Sequence, residues 1–281
     1  MIKVGVMVCS YYLLPDLSLP ERAPDISLED AIMLTKESGI SAIELQDYRS
    51  GLFGFDFPKV PGKKVLRKIK EVADSYRVEI PTISVMAGNL LSPDGNAQVN
   101  YIRRWLPLAA EIGIKVVKIN VGAKPADLSN DAAFERARGR LLKLVRYAEE
   151  YDIPLAPELW PSSYPTSDPV AMLTLLKNID SPYFRFTSDN FMLPPDWAVT
   201  AYRLMAPYTA NAHMSPPPNR DELRGPNKDR YRFKDLIQIL KENHFDGHIM
   251  IEWRASNRPL EKLVEGLRET KDMLEGIISS A

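Results

Sequence analysis

Cysteine, net charge and long apolar runs are all scarce in this chain. Cys9 is the single cysteine among 281 residues, which excludes an intrachain disulfide and a zinc site built on several thiolates. This cysteine usage suits a reducing compartment, and we expect a cytoplasmic protein. Lysine and arginine number 36 against 37 aspartates and glutamates, so the net charge of −1 predicts no basic surface for nucleic acid.

No segment approaches the run of about 20 apolar residues that a membrane-spanning helix requires. The apolar stretch 4–8 is followed by Ser10, Tyr11 and Tyr12 and by no small-residue cleavage site, so it predicts a first strand rather than a signal peptide. We therefore expect no membrane partner. A length of 281 residues, 45% of them hydrophobic and 26% charged, is typical of one globular domain, which we assign to residues 1–281.

Short apolar or β-branched runs alternate with amphipathic stretches along the chain. A helical pattern follows each of eight runs, which begin near Lys3, Ser41, Glu79, Lys115, Pro154, Phe184, Tyr208 and Gly247. In the last of these patterns, Leu260, Val264 and Leu267 repeat at the spacing of one helix face. The alternation predicts a parallel sheet covered by helices, and eight units favour a (β/α)8 TIM barrel over an open doubly wound sheet.

Four acidic or imidazole side chains close the last four predicted strands. They are Glu158, Asp189, His213 and Glu252. Residues at the carboxyl ends of barrel strands converge above the core, and the alternation along each strand points all four inward, so we expect one shared site. Three carboxylates at one rim repel one another unless a cation lies between them, and their oxygens suit a divalent ion. The pattern predicts a metal site, and the alternative is that one or two of the four cap helices from loops.

The order and spacing of these residues resemble those of the xylose-isomerase-like barrel superfamily of sugar isomerases and epimerases. The resemblance covers essentially the whole chain, and segment 245–253, Phe-Asp-Gly-His-Ile-Met-Ile-Glu-Trp, is similar to the last-strand motif of that family. It implies that the four residues bind one divalent ion, with Mn²⁺ favoured and Co²⁺, Mg²⁺ or Zn²⁺ as alternatives. It also implies that Glu158 and Glu252 act as general base and acid, with Asp189 and His213 as supporting ligands.

Two features depart from branches of that superfamily. The ketose 3-epimerase branch has a histidine three residues after the strand-six aspartate, where this chain has Met192, so epimerization at carbon 3 is not implied. The DNA-repair endonucleases need several additional histidines for three zinc ions, whereas this chain has only His213, His244 and His248. Endonuclease chemistry is thereby excluded.

Further candidate substrate contacts surround the predicted metal site. Glu44, Lys118 and Asn120 should point inward from the second and fourth strands, although barrel interiors also carry polar residues for stability. Trp160 follows Glu158 by two positions and is a candidate for stacking on a sugar or aglycone, or for a subunit interface.

A basic stretch and a histidine complete the set of candidates. Arg220 and Arg224 lie in segment 219–232, near the place where the resemblance puts a substrate-contacting arginine, and the alternative is a solvated or interface loop. His248 lies two inward positions below Glu252, so we expect a core histidine with its polar atoms satisfied.

The residues and the resemblance lead to three functional hypotheses. The first is a divalent-metal-dependent sugar isomerase or epimerase that removes the proton next to a carbonyl through a metal-stabilised enediolate. The second is a lyase on 3-oxo-glycosides, similar to the catalytic subunit of C-glycoside deglycosidases. The third is a barrel that binds a sugar or a protein without turnover. We expect a small-molecule carbohydrate as partner and a homo-oligomer, or a hetero-oligomer with a small partner subunit in the lyase.

Overall fold

Strands and α-helices alternate along the part of the chain that the structure describes. This computed structural model describes residues 1–11, 26–47, 60–86, 89–160, 164–190, 195–215, 232–252 and 260–281. The strands are β1 Lys3–Met7, β2 Ile43–Gln46, β3 Thr82–Val85, β4 Val116–Ile119, β5 Leu155–Pro157, β6 Phe186–Asp189, β7 Thr209–Met214 and β8 His248–Ile251. The helices are α1 Leu28–Glu37, α2 Lys63–Ser75, α3 Gly95–Glu111, α4 Asn130–Glu150, α5 Pro169–Ile179, α6 Pro195–Met205, α7 Phe233–Glu242 and α8 Leu260–Ser280. Short 3-10 turns cover Val8–Tyr11 and Ala206–Tyr208.

The strands form one parallel sheet that closes on itself. Their order is β5-β4-β3-β2-β1-β8-β7-β6, so every strand lies beside its neighbours in the chain. Isolated parallel bridges join Leu155 to Phe184 and Glu158 to Thr187, which brings β5 beside β6. The predicted (β/α)8 barrel is confirmed.

Local sequence signals explain where helices begin. The Ser27 hydroxyl accepts the backbone N–H of Asp30 at 3.0 Å, and Asp30 accepts the backbone N–H of Ser27 at 3.1 Å, a reciprocal capping box at the start of α1. Asp168 accepts the backbone N–H of Val170 at 2.8 Å at the start of α5, where Pro169 is the first helical residue. These caps satisfy backbone donors that a helix cannot pair internally.

Strand alternation separates an apolar outer layer from a partly polar interior. In β8, Ile249 and Ile251 face the helices and are fully buried, whereas Met250 points into the barrel. A Cβ atom at Gly5, in the neighbouring strand, would lie 2.4 Å from the sulfur of Met250, so this glycine makes room for the thioether. Glu252 lies two residues beyond Met250, on the same face of the strand. The thioether therefore lies one step deeper in the barrel than Glu252.

Among the helices that the structure describes, none is both long and apolar enough to cross a membrane.

Candidate metal centre

Four side chains converge at the carboxyl ends of β5 to β8. Glu158, Asp189, His213 and Glu252 each offer one ligand atom, and these atoms all lie within 4.8 Å of one another. All four residues are buried. Ligand atoms around one divalent ion are at most about 4.2 Å apart when each bond is roughly 2.1 Å long. The structure thus brings together the four residues predicted as ligands, at separations slightly wider than those around a bound cation.

Strand register explains this convergence. Asp189 is the last residue of β6 and is level with His213 of β7. Glu158 directly follows β5, and Glu252 directly follows β8, where its backbone N–H donates to Met214 at 3.0 Å. Each residue occupies an inward position at the upper end of its strand, so the closed sheet aims all four at one point.

The contacts between the four residues fit a shared cation. His213 Nδ1 lies 2.8 Å from Glu158 Oε1 and 3.5 Å from Glu252 Oε2. Over the described ranges of the chain, neither Nδ1 nor Oε1 takes part in an aligned hydrogen bond, although both are buried. Buried polar atoms without a hydrogen bond are rare in folded proteins, because leaving them unpaired costs folding free energy. A cation between these atoms would coordinate both.

Glu44 holds the other ring nitrogen of His213. Its Oε2 lies 2.9 Å from His213 Nε2 and accepts Asn211 Nδ2 at 2.9 Å, while its Oε1 accepts Ser84 Oγ at 2.5 Å. Because Glu44 accepts the Nε2 proton, Nδ1 is the nitrogen that faces the ligand cluster. Glu44 is fully buried, and both its oxygens accept hydrogen bonds from the chain.

Lys118 provides a buried positive charge beside the cluster. Its Nζ lies 2.6 Å from Glu158 Oε2, and its side chain is 2% exposed. Burial alone would lower the pKa of Lys118, but the carboxylates of Glu158, Glu44 and Glu252 raise it well above its ordinary value. Burial would likewise raise the pKa of Glu158, but Lys118 and His213 lower it. Lys118 is therefore an ammonium ion that offsets part of the negative charge.

The surroundings of His213 favour the positively charged form of its imidazole. Burial would lower the pKa of this imidazole, yet the charges of Glu44 and Glu158 raise it well above its ordinary value. A cation bound at Nδ1 would displace a proton from that nitrogen, so its binding would be coupled to proton release.

Two other predicted substrate contacts, Asn120 and Trp160, follow β4 and β5. Asn120 directly follows β4, is half-buried, and its Oδ1 accepts the backbone N–H of Gly122 at 2.9 Å. Trp160 is half-buried, and its backbone N–H donates to Thr166 at 3.2 Å. Other residues considered above lie outside the described residues: Met192, Arg220 and Arg224.

His248 lies at the opposite end of the barrel from the cluster, which corrects the expectation of a satisfied core histidine. It is the first residue of the four-residue strand β8 and is half-buried. Its Nε2 lies 3.5 Å from a carboxylate oxygen of Glu79, beyond ordinary hydrogen-bond length. The strand is too short for a position two inward steps below Glu252 to lie in the core.

Several residues that support the site were not predicted. Asn211 shares the inward face of β7 with His213, and this alternation was the signal that could have identified it. Ser84, a polar residue in the otherwise largely apolar β3, gives a weaker signal. Asn190 accepts the backbone N–H of Ser215 at 2.8 Å and so ties together the upper ends of β6 and β7. No short-range pattern indicates that contact.

Comparisons with known proteins agree with the barrel fold. The family model of the xylose isomerase-like TIM barrel matches residues 32–275. No curated protein matches the chain. Among solved structures, D-psicose 3-epimerase from Clostridium cellulolyticum H10, with D-tagatose, has a TM-score of 0.74 at 14% identity and covers 98% of this chain and 99% of its own.

Two other solved structures widen the range of chemistry. The 3-keto-D-glucoside 4-epimerase from E. coli has a TM-score of 0.73 at 13% identity, covering 98% of this chain and 100% of its own. The probable 3-DHS dehydratase involved in petrobactin synthesis from Bacillus anthracis has a TM-score of 0.69 at 17% identity, covering 97% and 98%. At such low identities these similarities establish the shared fold.

Proposed function

The chain belongs to the xylose isomerase-like TIM-barrel family, and we propose that it is a divalent-metal-dependent enzyme that removes a proton next to a carbonyl group of a carbohydrate. Isomerization or epimerization is the proposed reaction. The observation that carries this proposal is the buried cluster of three carboxylates and one imidazole, whose ligand atoms lie within 4.8 Å of one another. The sugar epimerases that share the fold support a carbohydrate substrate.

Glu158, Asp189, His213 and Glu252 would hold the cation. When bound, a divalent ion supplies Lewis-acid stabilisation to the negative charge that develops on the substrate oxygen as the proton leaves. Three carboxylates with one imidazole suit Mn²⁺, and Co²⁺, Mg²⁺ and Zn²⁺ also accept such ligands. We propose Mn²⁺ as the first ion to test.

Within the cluster, we propose Glu158 and Glu252 as the acid–base pair. They are 4% and 7% exposed, whereas Asp189 and His213 are completely buried. The two glutamates therefore lie nearer to the open mouth of the barrel, where a substrate would enter. Asp189 and His213 would orient the cation from below.

The surrounding mouth would supply substrate contacts. We propose Asn120 and Trp160, which follow β4 and β5, together with Arg220 and Arg224 from the connection after β7. The first two would contact hydroxyl groups and a sugar face, and the arginines would bind polar or anionic substituents. A cytoplasmic homo-oligomer remains the expected form of the protein.

Elimination is the second candidate reaction. It begins with the same proton abstraction and ends with loss of a leaving group from the neighbouring carbon. Met192, in place of the histidine of the 3-epimerases, and the dehydratase that shares the fold both favour it. A lyase on 3-oxo-glycosides would act with a small partner subunit.

Proton exchange in deuterated buffer tests the proposed function. Protein stripped with a chelator and reloaded with Mn²⁺ is incubated with a panel of ketoses and 3-oxo-glycosides, and NMR follows the hydrogen next to each carbonyl. We expect Mn²⁺-dependent replacement of that hydrogen by deuterium, lost in Glu252→Gln. Exchange without aglycone release indicates isomerization or epimerization, and aglycone release indicates elimination. No exchange with any substrate would contradict the proposal.

A further inference from the structure

A cavity opens at the amino-terminal end of the barrel, opposite the proposed metal centre. Its volume is about 390 Å³, and residues at or just before the starts of β3 to β8 line it. We infer that this cavity is a binding site for a small oxyanion, a phosphate or carboxylate group, held by the guanidinium of Arg185. The inference is independent of the proposed function, because it concerns the other end of the barrel.

The cavity is separate from the metal centre. Arg185 lies four residues before Asp189, and His248, which also lines the cavity, lies four residues before Glu252. A strand rises about 3.3 Å per residue, so about 13 Å separates the two sites along each strand. The fully buried side chain of Met250 lies between them in β8. An anion in the cavity would therefore make no contact with the four proposed ligands.

Arg185 carries hydrogen-bond donors that the chain leaves unused. Its Nη2 donates to the carbonyl oxygen of Pro207 at 2.9 Å, whereas a guanidinium has five N–H donors in a planar fork. Among the residues that the structure describes, no carboxylate forms an ion pair with this half-buried side chain. Burial lowers the pKa of Arg185, the direction expected when no carboxylate compensates for lost hydration. An oxyanion on two N–H groups of the fork would supply both the acceptors and the opposite charge.

Two further groups of the lining favour an anion. Lys115, exposed directly before β4, forms no ion pair within the described ranges. Thr82 is 2% exposed and shares a face of β3 with Ser84, which donates to Glu44 inside the barrel, so Thr82 also points inward. The Thr82 hydroxyl forms no hydrogen bond with another described residue. Since the described lining includes a single carboxylate, that of the exposed Asp246, positive charge predominates.

The shape of the cavity is largely fixed before any ligand binds. Pro81, Pro154, Pro182 and Pro207 line it, and the ring of each proline restricts the backbone. Proline also lacks an N–H group, so recognition of an anion falls to the side chains. Small-molecule sites in proteins are about 300 to 1,000 Å³. A cavity of about 390 Å³ therefore has room for a small organic molecule that carries the oxyanion.

Calorimetric titration with two probe anions, inorganic phosphate and malonate, tests the site. The protein is first treated with a chelator, so that no cation binds the probe at the metal centre. We expect the wild type to bind about one anion per chain with a dissociation constant of about 1 mM or lower. Binding of either probe supports the site, and the tighter probe identifies phosphate or carboxylate as the preferred group.

Substitutions locate the binding. Arg185→Met removes the fork and should weaken binding by at least about tenfold. Lys115→Met should weaken it by about two- to fivefold, and Asp246→Asn should strengthen it by a similar factor, because both charges are exposed and screened. Arg146→Met changes an exposed arginine of α4 outside the cavity lining and is the matched control, with a constant within about twofold of wild type.

Circular dichroism confirms that each variant folds. Should Arg185→Met fail to fold, Arg185→Lys keeps the charge but loses the planar fork and should still weaken binding by about threefold or more. The inference would be overturned by a wild type that binds neither anion saturably, by unchanged binding in the folded Arg185 variant, or by an equal loss in Arg146→Met. None of these results bears on the proposed function, since the titration involves neither Mn²⁺ nor a carbohydrate.

Discussion

Replacement of Glu44 by glutamine should weaken cation binding at His213 without unfolding the barrel. Glu44 accepts two contacts on Oε2, from His213 and Asn211, and one on Oε1, from Ser84. Glutamine keeps an oxygen for the first pair and offers its NH₂ group to the Ser84 hydroxyl, which can accept. His213, Asn211 and Ser84 can each keep one hydrogen bond to residue 44, so the main change is the loss of the negative charge.

The size of the effect follows from that charge. A hydrogen bond to an ionised group is roughly twice as strong as a neutral one, and loss of a carboxylate that orients a metal-binding histidine typically weakens metal affinity by about 10- to 100-fold. The Mn²⁺ dissociation constant of Glu44→Gln should rise by that factor, equivalent to about 1.4 to 2.7 kcal/mol. Glu44→Ala would be less informative, because it leaves a cavity and three unpaired polar groups.

Calorimetric titration with Mn²⁺ measures this change directly. Ser84→Ala is the matched control, since it removes one hydrogen bond to Glu44 but leaves the charge and the His213 contact, and its constant should change by less than about threefold. Circular dichroism confirms that both variants fold. A Glu44→Gln constant within about twofold of wild type would refute the tautomer argument.

Three further predictions concern stability. In urea unfolding, Gly5→Val should lower the free energy of unfolding by about 1 to 3 kcal/mol, because the Met250 sulfur would lie 2.4 Å from the new Cβ. Gly139→Ala should raise it by about 0.5 to 1 kcal/mol, because Gly139 is exposed within α4 and has nothing within 4 Å of a new Cβ. Equal effects of the two substitutions would contradict this reasoning. Asp168→Ala should cost about 1 kcal/mol through loss of the α5 cap, and an unchanged urea midpoint would refute it. Burial lowers the pKa of His248, so the folded protein favours the neutral imidazole. The stability that this preference contributes is present above the ordinary pKa of about 6.5 and is lost as the pH falls through the pKa of the folded protein. His248→Gln should therefore lose less unfolding free energy than wild type between about pH 7.5 and about pH 5.5, and a larger loss would contradict the sign.

The fold and the convergence of the four proposed ligands were predictable because each depends on a short-range pattern. Period-two alternation placed Glu158, Asp189, His213 and Glu252 at inward positions, and the barrel then brings the ends of neighbouring strands together. Neither step requires knowledge of side-chain contacts between distant segments.

The roles of Glu44 and Lys118 depended on contacts that alternation does not specify. The sequence indicates that both point inward, but Glu44 meets His213 across 169 positions of the chain. Lys118 reaches Glu158 because of the register between β4 and β5. Strand register and tilt decide which inward residues share a level, and the hydrophobic pattern alone leaves both undetermined.

His248 shows the same limit at the other end of the barrel. Alternation places it on the same face of β8 as Met250 and Glu252, but the depth of that position depends on where β8 begins. The strand starts at His248 itself, so the imidazole lies at the rim beside Glu79. Strand ends are the least certain part of a pattern-based prediction.

The most direct test of the metal centre is the amount of cation that the protein retains. Wild-type protein and Asp189→Asn/His213→Gln are dialysed against Mn²⁺ and then against metal-free buffer, and elemental analysis gives the bound ion per chain. The geometry predicts about one Mn²⁺ per wild-type chain and almost none in the folded double variant. Equal retention by the two proteins, or no retention by the wild type, would contradict a cation site formed by these four residues.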